Sequence, residues 1–153
     1  MESKDDIENL LPHRPPMVLL AQALQSDDLG TAEAVIDTSD KCVFFDRAID
    51  GVPSCVAIEY MAQTMALAVG RERRRCNLAP AIGFVLGSRR LEISVDRFAR
   101  GSRYVACAKC IYSDGSFASF DCAIRDESGS VAASATFSAF QPPDDGSFLE
   151  ELA

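Results

Sequence analysis

A chain of 153 residues, 48% of them apolar and 25% charged, has enough side chains for one core and no second module. A formal net charge of −8 sets it against nucleic acid, whose phosphates demand clustered Lys and Arg. With one histidine, His13, and a single CxxC spacing at Cys107 and Cys110, a zinc site cannot be completed; neither a metal nor a cofactor is expected.

The opening MESKDDIENL is acidic and polar, without the basic start and apolar stretch of a secretory leader. The six cysteines are therefore expected as free thiols of a cytoplasmic protein. A short amphipathic turn at 5–11 runs into Pro12-His13-Arg14-Pro15-Pro16, which breaks any helix and starts an extended segment. Residues 17–25 and 31–37 read as two strands joined across Asp27-Asp28-Leu29-Gly30. A short apolar run at 42–45 follows, and Asp50-Gly51 marks a turn.

One long helix comes next, with Pro53 in its first turn, Gly70 and basic residues at its far end, and Asn77 and Pro80 as the stop. Between 52 and 69 only Ser54, Glu59, Gln63 and Thr64 are polar, the pattern of a buried helix rather than a membrane span. The period then changes to two. Four strands are predicted at 81–94, 102–114, 116–126 and 130–140, with turns at Asp114-Gly115 and Glu127-Ser128-Gly129. Residues 1–141 form the domain and 142–153 an acidic, loosely held tail. The predicted class is α+β: a curved antiparallel sheet wrapped around one long central helix, the hot-dog architecture. A single such sheet leaves edges bare, so a dimer is expected.

Charge is unevenly spread. Residues 71–103 hold nine arginines against Glu72, Glu92 and Asp96. Arg71, Arg73, Arg74 and Arg75 either balance the negative end of the helix or form a landing patch for an acidic partner. On the helix, Glu59 and Gln63 stand four apart and share a face. Burial would raise the Glu59 pKa and keep the carboxyl neutral, as a general acid requires; the alternative is a salt bridge or a position at a dimer seam.

The run Val52-Pro53-Ser54-Cys55-Val56-Ala57-Ile58-Glu59-Tyr60-Met61-Ala62-Gln63 resembles the helix motif of the 3-hydroxyacyl-acyl-carrier-protein dehydratases. Leu11 to Met17 resembles the N-terminal signature of that family. Gly83-Phe84-Val85-Leu86-Gly87 with Arg89-Arg90 is similar to its strand after the helix. The likeness spans positions 11 to about 105. It is nearest to the aryl-polyene-pathway dehydratase-like branch, which has Phe-Phe-Asp before a Gly-Val-Pro helix start.

That resemblance implies removal of a C2 proton by a histidine and protonation of the C3 hydroxyl by an acid, with helix-terminal N–H groups on the thioester carbonyl. The acid maps onto Glu59. The family histidine does not map: fourteen residues before the Glu, this chain has Phe45. His13 could serve only if the N-terminal segment folds over the site, and Asp46 is the other candidate base. Phe45, Gln63 and Phe84 are expected along a substrate tunnel, and Arg71, Arg74 and Arg75 at the docking face for acyl-carrier protein. Three readings stay open: an active dehydratase, a non-catalytic subunit that binds acyl-carrier protein or stabilises an active hot-dog partner, and a thioesterase. The dimer itself could be homo- or heterodimeric.

Overall fold

The computed structural model describes residues 4–144 and 147–152. A short helix, α1 (Lys4–Glu8), precedes β1 (Leu20–Ala23) and β2 (Thr31–Ile36). Strand β3 (Gly51–Pro53) passes through a 3-10 turn at Ser54–Val56 into the long helix α2 (Ala57–Arg75). Then come β4 (Phe84–Ile93), β5 (Arg97–Ala99), β6 (Tyr104–Ser113), β7 (Phe117–Asp126), β8 (Val131–Phe140) and α3 (Ser147–Leu152).

Period-two patterning in the second half yields long antiparallel strands, and the sheet order is β1-β2-β6-β7-β8-β4. On β6, Tyr104, Ala106 and Ala108 turn inward; on β7, Phe120, Cys122 and Ile124 do the same. Alanines at 32, 34, 106, 108 and 135 are all buried, and their small side chains let α2 lie close against the sheet. From α2, Tyr60, Met61, Leu67 and Ala68 fill the space between. Tyr60 meets Phe98 edge to face at 5.5 Å, and Phe98 meets Tyr104 at 5.1 Å. The buried Tyr60 hydroxyl donates to the Asp37 carbonyl at 2.7 Å, so its polar tip is satisfied. This is a hot-dog fold, as the sequence predicts.

Several local expectations change. Pro53 closes β3 and caps the 3-10 turn, so α2 begins at Ala57. Residues 42–45 make turns instead of a strand, with Phe45 N–H bonded to Cys42 O. No sequence pattern announces the two-strand ribbon β3–β5, because three-residue strands are too short to show an alternation. Nor is α2 buried all round: Ile58, Glu59, Ala62, Ala66 and Val69 form one open stripe. The start of the tail is held, since both Asp144 carboxylate oxygens lie 3.0 Å from Arg73 Nη2. All six cysteines are free thiols. No described helix is long and apolar enough to cross a membrane.

Strand β4 stands at the sheet edge and pairs only with β8. Every one of its ten residues is exposed, including Phe84, Val85, Leu86, Leu91 and Ile93. Its second edge thus keeps unpaired backbone N–H and C=O groups among the described residues.

Candidate active site

The site begins where α2 leaves its 3-10 turn. Glu59 lies in the first turn of the helix, on the open stripe, where the helix dipole favours a negative charge. Four residues on, Gln63 is fully buried and spends its whole amide. Its Nε2 donates to Glu59 Oε1 at 2.8 Å and to the Met17 carbonyl at 2.6 Å, while its Oε1 accepts from Leu19 N–H at 2.9 Å.

The N-terminal segment crosses α2 as a strap and brings His13 to Glu59. Nε2 of His13 stands 3.4 Å from Glu59 Oε1. Both side chains are about one-third exposed (29% and 35%), so the pair sits at an opening and not in the core. Two devices fix the strap upstream. Gly70 lets the Leu10 carbonyl pack directly on the helix, where any Cβ would stand 2.0 Å from that oxygen. Arg14 Nη1 lies within reach of the carbonyls of Glu8 (3.0 Å), Leu11 (3.1 Å) and His13 (2.7 Å). Nδ1 of His13 is buried without a hydrogen-bond partner among the described residues.

The Glu59 carboxyl departs from the expected neutral acid. Burial is the largest single influence and pushes its pKa up, but hydrogen bonds from His13 and Gln63 and the His13 charge together hold it below the usual carboxylate value. Glu59 is thus ionised at neutral pH. The buried-helix argument misses this because the compensating partner comes from a segment 46 positions upstream.

From the pair a cavity of about 340 Å³ runs along the open stripe of α2. Ala62, Met65, Ala66 and Val69 form its helix wall. Phe84 and Val85 of β4 and Phe117, Phe120 and Phe140 of β7 and β8 form the other. Ser113, Gly115 and Ser116 at the β6–β7 turn also line it. A carboxylate and an imidazole beside a largely apolar cavity suit a ligand with one polar end and a hydrocarbon body.

The predicted site residues fall into groups. Glu59, His13 and Phe84 all line this cavity, and Gln63 sits behind Glu59. Phe45 lies elsewhere, half-buried, with the Arg100 guanidinium 5.9 Å from its ring centre. Asp46 closes a local turn: its backbone bridges Gly51 and its Oδ1 accepts from Ala48 N–H. Neither lines the cavity of its own chain. Arg71 reaches back to the Leu24 carbonyl at 2.6 Å, and with Arg74 and Arg75 it borders a shallow cleft beside Gln25, Ser26 and Asp27. Sequence reasoning misses the helix wall, although Ala62, Ala66 and Gly70 recur at a four-residue spacing that marks a slot of small side chains.

Sheet, central helix and cavity define a hot-dog protein. At the fold level it is similar to the E. coli PaaI protein from the phenylacetic acid degradation operon (TM-score 0.59, 13% identity, 78% of this chain and 81% of that one). It is similar in the same way to a hypothetical thioesterase from Streptococcus pneumoniae TIGR4 with coenzyme A (TM-score 0.59, 13% identity, 79% and 84% covered). A much nearer likeness is the dehydratase heterocomplex ApeI:P from Xenorhabdus doucetiae, with TM-score 0.84 and 28% identity over 95% of each chain. The chain belongs to the ApeP-like family, the ApeP dehydratases, whose model matches residues 5–150. Among curated proteins none matches.

Proposed function

We propose that this protein dehydrates 3-hydroxyacyl thioesters carried on acyl-carrier protein to trans-2-enoyl thioesters, in cytoplasmic fatty-acid or polyene synthesis. The observation that carries the reading is the His13–Glu59 contact of 3.4 Å at the mouth of the apolar cavity. The ionised Glu59 stands against His13 Nε2 and orients the imidazole beside the cavity. The imidazole of His13, which lines the cavity, takes the C2 proton, and the electron pair moves into the thioester carbonyl. It returns as the C2–C3 double bond while the C3–O bond breaks and the hydroxyl leaves as water with the proton held by His13. The acid role passes from Glu59 to His13, and Asp46 is not needed within the chain.

A second reading, a dehydratase-like subunit acting beside a related hot-dog chain, is favoured by the bare strand β4 and by the likeness to a heterocomplex. In either case Arg71, Arg74 and Arg75 would meet the acidic surface of acyl-carrier protein. The test is the purified chain with a 3-hydroxyacyl carrier-protein thioester, alone and with a co-expressed hot-dog partner. Turnover by the chain alone that disappears in Glu59→Gln and His13→Ala supports the first reading. Turnover only with the partner, unaffected by His13→Ala, supports the second.

A further inference from the structure

We propose that Gln63 is the positioning residue that registers the two halves of the reacting pair to each other; this rests on the reading of His13 and Glu59 as that pair. Gln63 is fully buried and lines no part of the cavity, so it does not meet substrate. Its amide has two N–H donors and one oxygen, and all are used on two separate elements. One donor holds Glu59 Oε1, the same oxygen that faces His13 Nε2. The other holds the Met17 carbonyl, four residues beyond His13 on the strap, and the Oε1 holds Leu19 N–H.

The amide has only one workable orientation. Turned over, its oxygen would face the Met17 carbonyl and the Glu59 carboxylate, and its NH2 would face the Leu19 N–H. Each of those contacts is repulsive. Side-chain direction at position 63 thus fixes which Glu59 oxygen points at the strap and how far along α2 the strap lies. Upstream, the Leu10 carbonyl seated on Gly70 sets the other end. His13 is held between these two anchors. No hydrogen-bonding side chain besides Gln63 ties Glu59 to the strap downstream of His13 among the described contacts.

The test uses the full chain with selectively 13C-labelled glutamate and 15N-labelled glutamine, with its partner subunit if one co-purifies. His13 is the titratable group that faces the Glu59 carboxyl, so its imidazole signals are followed in the same samples. Gln63→Met keeps the side-chain length and removes the amide. Its Glu59 carboxyl should titrate at higher pH than in the parent, and the acidic limb of the rate profile should move the same way. The value of kcat should fall on the order of 100-fold with KM little changed, the scale of a misplacement of about 1 Å. A folded Gln63→Met with the Glu59 titration and the acidic limb where they were overturns the proposal, and Gln63 is then only a core hydrogen-bonder. If Gln63→Met does not fold, the parent chain decides. Its Gln63 NH2 signals should shift in step with the Glu59 carboxyl and lose that step in Glu59→Gln; signals indifferent to Glu59 overturn the proposal. The carboxyl and amide titrations need no turnover, so an inactive chain would sink the proposed dehydration without touching this inference.

Discussion

Gly70→Ala would place a methyl carbon 2.0 Å from the Leu10 carbonyl oxygen and 3.0 Å from its carbon. Side-chain carbons essentially never come within 3.0 Å of such an atom, so strap and helix must part by about 1 Å. Overpacking of that kind costs ~1–3 kcal/mol. Leu10 and Leu11, 1% and 0% exposed, would lose part of a burial worth ~1.5–3 kcal/mol each. Against this, Gly→Ala in a helix interior gains only ~1 kcal/mol. The expected balance is a loss of about 2 kcal/mol, read as a lower urea midpoint with an unchanged slope. Gly87→Ala, where no atom lies within 4 Å, is the control and should stay within about 0.5 kcal/mol of the parent. A Gly70→Ala chain as stable as the parent, or more so, would show that helix propensity rules the position and that the strap is not seated on Gly70.

Three further outcomes are expected. Because the folded Glu59 carboxyl titrates below its reference value of 4.5, it stabilises the protein fully above that value, and the contribution is lost as pH falls through the folded pKa. Unfolding curves of the parent and Glu59→Gln should therefore differ most at neutral pH and converge on acidification; a gap that widens in acid would contradict the assigned direction. Ala66→Leu should fill the middle of the cavity, sparing turnover of short 3-hydroxyacyl thioesters and abolishing that of long ones. Equal loss for both in a chain-length series would place the acyl chain elsewhere. Tyr60→Phe should lower stability by ~0.5–1.5 kcal/mol in thermal or urea unfolding, because it removes the buried hydrogen bond from the Tyr60 hydroxyl to the Asp37 carbonyl. A neutral result would mean that this carbonyl finds another partner.

The elements with strong periodicity are legible in the sequence: α2 and the strands β4, β6, β7 and β8 lie within a few residues of their expected bounds. What falls outside its reach is either too short or too far apart in the chain. The ribbon β3–β5 has three residues a side, and residues 42–45 are apolar enough to look like a strand although Cys42 and Phe45 close a turn. Glu59 is visible as a carboxyl on an apolar helix, and its partial burial follows from that setting. The sign of its pKa shift does not, because it depends on His13, and that approach depends in turn on Gly70, Arg14 and Gln63 acting together. No local pattern encodes such an arrangement. Phe45 and Asp46, named for their place at and beside the family's histidine position, lie away from the cavity of their own chain.

The pairing of β4 with β8 alone sets an order of events during synthesis. Strand β4 is complete at Ile93, whereas its partner starts at Val131 and ends at Phe140. At a ribosomal rate of about 5–20 residues per second, β4 waits for roughly 2–8 s before the strand it needs begins to emerge. Throughout that interval Phe84, Val85 and Leu86 are offered to whatever else is near, on both sides of the strand. Until the last strand is made, the ladder that β4 forms in the finished sheet has no intramolecular partner, so closure of this edge is the last pairing that synthesis permits.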